Sequence, residues 1–506
     1  MNIKQAKEYI KNTVKLYLKK DEFGEYRLPV VRQRPIFLLG APGIGKTAVM
    51  EQIAQEMGVA LVSYSMTHHT RQSALGLPYI TQKEYGENTF SVTEYTMSEI
   101  IVSLYDTMEK SGIKEGILFL DEINCVSETL SPTMLQFLQY KMFGRHRVPE
   151  GWVIVTAGNP PEYNKSVREF DIVTYDRLKV LEVEPDYMAW KEYAAERRVH
   201  SAVTTYLDQK KDHFYRIETT AKGHSYVTAR GWEDLSEILI LHEEENLPVD
   251  ETLVGQYLRN EKVVREFTAY YDLFQRYKKD YHIFDILRGI PSDGAIVRAQ
   301  EAPFDERLSL LGMLLDKVQA DMKECMEEVA FLTDLRNVLK SADRLSENGS
   351  AGQIREYLEK QKEGRGKLLE KMRDANALSD AEKRKHNALL CFLEAAGRTL
   401  LEGNIATGEE ACALLKEKYK GKMAEVKKET DCTQKELHAL FSFVEAAFGQ
   451  GNEMLILVTE LTAGSAASQF IATFGCPDYS RHSKELMLSE RRDSISTEID
   501  GLGIFE

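Results

Sequence analysis

A glycine-rich octapeptide near the start of the chain constrains the fold more than any other stretch. It reads Gly40-Ala41-Pro42-Gly43-Ile44-Gly45-Lys46-Thr47. Its spacing is that of a phosphate-binding loop, G-x-x-x-x-G-K-[S/T]. An apolar run, Pro35 to Leu39, precedes the loop and predicts a buried strand, and apolar residues at helical spacing follow it. Strand, glycine loop and helix is the order that this motif requires, so we interpret it as a phosphate site.

Each part of the loop has a chemical role in holding phosphate. Glycines allow backbone N–H groups to surround the phosphate oxygens, and the helix N-terminus adds partial positive charge. Lys46 is placed to reach the β- and γ-phosphates, and the Thr47 hydroxyl is a ligand for Mg²⁺. The expected contacts with the nucleotide are Gly40, Ala41, Pro42, Gly43, Ile44, Gly45, Lys46, Thr47 and Ala48.

Two adjacent carboxylates form the second chemical landmark. The apolar run from Ile117 to Leu120 predicts a buried strand, and Asp121 and Glu122 stand at its end. In a parallel sheet, ligands gather at the carboxyl ends of the strands, so these side chains are expected beside the phosphate loop. There Asp121 can hold Mg²⁺ through its water shell, and Glu122 can polarise the attacking water.

Three later polar residues complete the candidate site. Asn159 follows another predicted strand, at a position where its amide can touch the γ-phosphate or the attacking water. Arg177 precedes a further predicted strand and is a candidate functional arginine. Arg168 is a nearby competitor for that assignment. Arg230 stands at a predicted helix start, from which it can reach a nucleotide if the helical block folds over the loop.

The composition narrows the classes of function and compartment. The net charge is −15, from 80 acidic and 65 basic residues, which argues against a general nucleic-acid binder. The six cysteines are scattered without a C-x-x-C pair, so we expect neither a zinc site nor a disulfide framework. The sequence shows no long apolar run and no signal-peptide core, so we expect a cytoplasmic protein without a membrane span.

Taken together, these motifs resemble those of the AAA+ ATPases, and most closely those of the MoxR group. The matching segments are GAPGIGKT, LFLDEIN, TAGNP, Asp176-Arg177 and Thr228-Ala229-Arg230-Gly231-Trp232, which follow the family's order over roughly residues 30 to 290. The resemblance implies an α/β fold with a five-stranded αβα core, a helical lid and a ring that is usually hexameric. It also implies ATP hydrolysis, with ATP and Mg²⁺ as the bound groups.

The resemblance assigns roles to the three later polar residues. It makes Asn159 sensor 1, Arg177 the arginine finger and Arg230 sensor 2. Arg177 lies in Tyr-Asp-Arg-Leu, where relatives often have Asp-Arg-Phe. Because the lid can be repositioned in this clade, Arg230 can serve either its own subunit's nucleotide or a neighbour's. The resemblance also implies an insertion in the second-helix region, near Glu84 to Ser91.

The expected domains are a nucleotide-binding core with an N-terminal helix over 1–185, a helical lid over 186–300 and an all-helical accessory domain over 301–506. The accessory region is either a self-contained bundle or an arm that docks a partner. Kinship implies chaperone-like action on a protein client, often one with a von Willebrand factor A domain. The alternatives are a nucleic-acid motor or restriction-type NTPase, and a nucleotide-switched scaffold that acts through its helical tail.

Several local expectations can be compared directly with the structure. Glu94 to Lys110 is predicted as a helix. Phe143 to Pro149 is predicted as a turn or hairpin with basic residues that face either a central pore or solvent. Capping boxes at Ser379, Thr407 and Thr433 predict the starts of three helices in the tail.

Overall fold

The computed structural model of the chain describes residues 1–68, 72, 74, 76–86, 88–143, 145–163, 166–220, 223–346, 350–403, 405 and 407–484. Two units emerge from the contacts within it. The first consists of Met1–Ala189 together with Lys360–Leu390. The second consists of Trp190–Glu359 together with the described residues from Cys391 onward.

A parallel sheet lies at the centre of the first unit. Its strands are β1 (Ile36–Gly40), β2 (Ala60–Ser65), β5 (Gly116–Asp121), β8 (Trp152–Gly158) and β9 (Lys179–Val183), numbered by chain order. They lie in the order β2-β5-β8-β1-β9, and every neighbouring pair is parallel. Strand β1 therefore lies between β8 and β9, which explains why it is apolar on both faces.

Helices cover this sheet, and the glycine loop begins at its carboxyl edge, where β1 ends. In the first part of the chain they are α1 (Ile3–Tyr17), α2 (Lys46–Met57), α3 (Glu99–Ser111), α4 (Ser131–Tyr140) and α5 (Ile172–Tyr175). The buried core between sheet and helices includes Phe37, Leu118, Leu120, Phe137 and Ile154. The parallel αβα arrangement confirms the predicted fold class.

Two hairpins extend from this part of the chain. One pairs β3 (Pro78–Tyr85) with β4 (Asn88–Tyr95), and the other pairs β6 (Met142–Phe143) with β7 (His146–Arg147). The first hairpin lies where the resemblance implies an insertion. Residue 87 of that insertion and residue 144 of the second hairpin lie outside the described residues.

The predicted helix at Glu94 to Lys110 begins later than expected. Glu94 pairs with Tyr79 in β4, and α3 begins only at Glu99. The Ser98 side chain accepts the N–H of Ile101 and so caps the helix at this point. The prediction was wrong at this end because β-pairing in the hairpin outweighs the helical periodicity of its second strand.

The rest of the chain is mainly helical, which confirms the prediction of a helical tail. The helices are α6 (Tyr187–Arg197), α7 (Ser201–Gln209), α8 (Ala229–Glu244), α9 (Glu251–Tyr257), α10 (Glu261–Tyr281), α11 (Ile283–Leu287), α12 (Asp293–Glu301), α13 (Phe304–Ser346), α14 (Ala351–Asp374), α15 (Asp380–Glu402), α16 (Gly408–Phe448), α17 (Asn452–Ala463) and α18 (Ser465–Phe474). A hairpin of β10 (Arg216–Thr220) and β11 (Gly223–Val227) interrupts them.

Two of the three capping predictions in the tail agree with the structure. The hydroxyls of Ser379 and Thr407 accept the N–H of Glu382 and Glu410 at the starts of α15 and α16. The prediction for Thr433 was wrong, because this residue lies inside α16. Its hydroxyl donates to the Glu429 carbonyl oxygen at 3.1 Å, a local bond that a threonine can make within a helix.

Across the described residues, no single helix is both long enough and apolar enough to cross a membrane. Helices α17 and α18, bent by 90° at the break between them, pass that test only as a pair.

Candidate functional site

The glycine loop adopts the backbone conformation that phosphate binding needs. Gly43 and Gly45 have φ angles of 74° and 92°, a region that glycine enters without steric penalty. Gly45 caps the N-terminus of α2, so that the helix begins at Lys46. The loop therefore directs backbone N–H groups and the positive end of a helix into one space, an arrangement that suits an anion.

Lys46 makes a hydrogen-bonded bridge across the site. Its ammonium group donates to the carbonyl oxygens of Gly40 and Ala41 at 2.8 and 2.9 Å. It also donates to the Asn159 side-chain oxygen at 2.8 Å. The Lys46 residue is only 8% exposed. The bridge places Lys46 beside Asn159 at the end of β8, although the two residues are 113 positions apart in the sequence.

Thr47 and Asp121 present the oxygen atoms that Mg²⁺ prefers. The Thr47 hydroxyl donates to Asp121 Oδ2 at 3.1 Å, and Asp121 Oδ1 accepts the N–H of Glu122 at 2.9 Å. A hydroxyl and a carboxylate side by side fit a hard cation that keeps several waters and binds phosphate as well. The residues present therefore fit a magnesium–nucleotide complex.

Glu122 is held in a defined orientation just beyond β5. Its φ angle is 55°, an uncommon value for a residue with a side chain. The hydroxyls of Ser65 and Thr67 donate to its Oε2 at 3.3 and 3.2 Å. Ser65 ends the neighbouring strand β2, so the position of this strand bears directly on the orientation of the carboxylate.

Asn124 ties the end of β8 to the segment that follows Glu122. Its side-chain N–H donates to the Asn159 carbonyl oxygen at 2.8 Å. A Cβ on Gly158 would lie 2.4 Å from the Asn124 side-chain oxygen, so only glycine permits this approach. Asn124 therefore helps to determine where the Asn159 amide points.

Cys125 is the thiol next to these carboxylates. Burial, with the Glu122 and Asp121 charges as smaller contributions, raises the pKa of this thiol above its ordinary value. The thiolate is the nucleophilic form of cysteine, and a raised pKa keeps that form scarce. This position therefore does not suit covalent catalysis.

Both predicted arginines are exposed in their own units. Arg177 is exposed, and its guanidinium donates to the Gln139 side-chain oxygen at 2.8 Å. Its competitor Arg168 is also exposed and pairs with Glu128. Arg230 is exposed near the start of α8, in the second unit. The structure thus brings together the lysine, the hydroxyl, the carboxylates and the amide of the predicted site.

Sequence patterns did not identify three residues that bond to Glu122 or Asn159, namely Ser65, Thr67 and Asn124. A signal existed for the first two, because a strand predicted over Ala60 to Met66 places the hydroxyl residues Ser65 and Thr67 at or just beyond its carboxyl end, the edge where a parallel sheet binds ligands. Asn124 lies within the segment LFLDEIN that carries the resemblance, but the residue pattern gave it no role.

The comparison with known families agrees with this geometry. Residues 36–176 match the model of the ATPase family associated with various cellular activities (AAA). The AAA match runs from β1 to the residue before Arg177, and so it contains the loop, both carboxylates and Asn159. It supports an AAA+ ATPase and, with it, ATP hydrolysis by this part of the chain. No curated protein matches the chain.

Proposed function

We propose that this protein is a MoxR-like AAA+ ATPase that hydrolyses ATP to remodel or activate a protein partner. One observation carries the proposal. Lys46 and Thr47 of the loop are hydrogen-bonded to Asn159 and Asp121, which come from the ends of two other strands, at 2.8 and 3.1 Å. A phosphate loop, a magnesium ligand and a polar amide therefore share one edge of a parallel sheet, where such sheets bind ligands.

The proposed roles of the loop and carboxylates follow from their chemistry. The loop N–H groups and Lys46 bind the phosphates of ATP. Thr47 and Asp121 hold Mg²⁺, which supplies positive charge against the phosphate oxygens. Glu122 accepts a proton from the attacking water. Both hydroxyls that bond Glu122 reach Oε2, so we assign the proton transfer to Oε1.

A neighbouring copy of the chain is the proposed source of the arginine finger. Arg177 is exposed, and its guanidinium donates a hydrogen bond to the neutral side chain of Gln139. The planar guanidinium of an arginine offers a fork of donors that matches phosphate oxygens. These properties support a ring, which we propose to be hexameric, in which Arg177 completes the site of the adjacent subunit. Arg230 is the proposed sensor 2, acting in its own subunit or in the next.

The β3–β4 hairpin supports a protein partner over a nucleic acid. Its exposed apolar side chains include Ile80 at 78%, Tyr85 at 58% and Phe90 at 52%. Apolar and aromatic surface favours protein contacts, whereas nucleic-acid binding requires clustered basic charge. The proposed client is therefore a protein, and one with a von Willebrand factor A domain is the first candidate. A cytoplasmic location and the division at about residues 185 and 300 remain parts of the same proposal.

The test compares ATP turnover and client capture in two variants. Glu122→Gln should bind ATP, hydrolyse it slowly and retain a client that wild-type protein releases. The matched control is the double variant Lys46→Ala/Glu122→Gln, which should neither bind ATP nor retain the client. Retention by both proteins would refute an ATP-dependent client, and absence of turnover in wild-type protein with Mg²⁺ would refute the ATPase.

A further inference from the structure

Strand β2 lies at the edge of the parallel sheet, with β5 on its inner side. In a parallel strand, alternate residues direct their N–H and C=O groups to opposite sides, so an edge strand leaves half of them without a sheet partner. The N–H of Ala60 faces inward and donates to the Glu115 carbonyl oxygen. The backbone of Leu61 consequently faces the open edge.

A turn from the helical tail occupies that open edge at Leu61. The turn comprises residues 375–377, which follow α14 and precede α15, and we call it the tail turn. The N–H of Leu61 donates to the Ala375 carbonyl oxygen at 2.9 Å. The Leu61 carbonyl oxygen accepts from the Asn376 side chain at 3.3 Å. Both outward groups of Leu61 are therefore satisfied by two consecutive residues of the tail turn.

The tail turn is shaped for this contact. Asn376 has a φ of 51°, in the region that asparagine tolerates better than most residues, and it ends α14 as a left-handed cap. Ala375 and Ala377 on either side are 0% and 1% exposed. Both belong to the buried core of the first unit, together with Ala60 and Val62 of β2. The turn is therefore part of the packing of that unit.

The other end of β2 carries the groups that hold Glu122. Ser65 is the last residue of the strand, and its hydroxyl reaches Glu122 Oε2 together with that of Thr67. Leu61 and Ser65 are separated by about 13 Å of extended chain, since a strand rises by ~3.3 Å per residue. A displacement of β2 at Leu61 is thus carried to Ser65 by a stiff element.

We propose that Asn376 is a positioning residue for ATP hydrolysis, which acts through β2 on Ser65, Thr67 and hence on Glu122. The proposal rests on the ATPase function given above. It makes the tail turn a regulatory contact of the nucleotide site. Whatever displaces the turn from Leu61 changes the rate of the hydrolytic step without touching the phosphate loop.

The test uses the whole chain with Asn376→Gly, which allows the same backbone conformation and removes the side chain that carries the amide donor. We expect kcat to fall roughly fivefold, the factor that corresponds to a net hydrogen-bond contribution of about 1 kcal/mol. The dissociation constant of ATP should not change. Asn376→Asp keeps the side-chain shape but places a carboxylate against the Leu61 carbonyl oxygen, so kcat should fall further. This variant provides the test if the glycine variant does not fold.

The control and the coupling experiment separate this role from a merely structural one. Asn246 also has a positive φ, 56°, just beyond α8, and Asn246→Gly should leave kcat unchanged. In a Ser65→Ala/Thr67→Val background, Asn376→Gly should have no further effect on kcat, because the route to Glu122 is already removed. A folded Asn376→Gly protein with wild-type kcat, or an equal loss in both backgrounds, would overturn the positioning role. If the wild-type protein shows no ATP turnover, the ATPase proposal itself is overturned.

Discussion

Lys46 donates a hydrogen bond to Asn159 across 2.8 Å, and the two residues are 113 positions apart in the chain. Lys46 lies in the phosphate loop that follows β1, and Asn159 follows β8, so the bond joins segments that leave two neighbouring strands at the carboxyl edge of the sheet. The same ammonium group is the one that we propose binds phosphate. The side chain of Asn159 and a bound nucleotide therefore both draw on the N–H donors of the Lys46 ammonium group.

This relationship predicts an order of ATP affinities among variants of Asn159. Asn159→Asp introduces a carboxylate beside the Lys46 ammonium, and the resulting ion pair should oppose phosphate binding. Asn159→Ala removes the competing acceptor instead. We therefore expect the dissociation constant of ATP, measured by calorimetry, to be larger for Asn159→Asp than for Asn159→Ala. The opposite order would contradict the proposed contact between Lys46 and phosphate.

Variants of Lys46 and Glu122 should affect ATP binding and ATP hydrolysis differently. Lys46→Ala removes a phosphate contact, so ATP affinity should fall by at least tenfold, the factor that corresponds to about 1.4 kcal/mol. Glu122→Gln keeps the size of the side chain and removes its basicity, so ATP should bind normally and turnover should nearly stop. Equal loss of ATP binding in the two variants would contradict these roles.

Arg177 tests the need for a ring. Arg177→Ala should bind ATP almost normally and hydrolyse it slowly, since related arginine fingers contribute roughly 10³ to 10⁵ in rate. Mixing this variant with Glu122→Gln should restore some turnover. In the mixture, an Arg177→Ala subunit retains Glu122 and can receive the arginine of a Glu122→Gln neighbour.

The dependence on protein concentration provides an independent check on the ring. The specific activity of wild-type protein should rise with concentration as subunits assemble. Arg168→Ala is the matched control, because Arg168 is also exposed but pairs with Glu128. Turnover that is independent of concentration and unaffected by Arg177→Ala would exclude a shared site.

Thr67 should affect hydrolysis more than binding. Thr67→Val preserves the shape of the side chain and removes the hydroxyl that donates to Glu122 Oε2 at 3.2 Å. Because Glu122 then loses part of its orientation, we expect kcat to fall roughly fivefold, with the ATP dissociation constant unchanged. Thr67→Ser keeps the donor and should restore most of the rate, whereas equal losses in the two variants would exclude a role for the hydroxyl.

Lys141 predicts a pH-dependent effect on stability. It lies at the end of α4 and is 4% exposed, and burial lowers its pKa from 10.5 to about 7. Between these pH values the unfolded chain binds a proton that the folded chain has released, so the contribution of Lys141 to stability rises with pH. Lys141→Met should therefore raise the melting temperature strongly at pH 6 and much less at pH 9.

The control for this prediction is an exposed lysine on α16. Lys420→Met should change the melting temperature only slightly at either pH. Thermal unfolding followed by circular dichroism at pH 6 and pH 9 is the measurement. A Lys141→Met effect of the same size at both pH values would show that the buried charge is not its cause.

The core elements of the fold could be predicted because their signals are local. The strand before the loop and the helix that follows it each depend on residues that are close in sequence. The helix predicted from Glu94 and the cap predicted at Thr433 were wrong for a related reason. At Glu94, strand pairing in the β3–β4 hairpin was more favourable than a helix start. At Thr433, continuation of the long helix α16 was more favourable than a new start.

The sequence by itself determined which chemical groups form the candidate site, namely the loop with Lys46 and Thr47 and the carboxylates of Asp121 and Glu122 at the end of β5 and just beyond it. Each of these groups lies within or directly after a strand that its own neighbouring residues encode, so local sequence is enough to place it. Only the tertiary structure decided that Ser65 and Thr67 hold Glu122, and that Asn376 bonds Leu61, 315 residues away in the chain. The physical reason is that the partner of an edge strand is chosen by packing and by unsatisfied backbone groups, and no local pattern of residues encodes that choice.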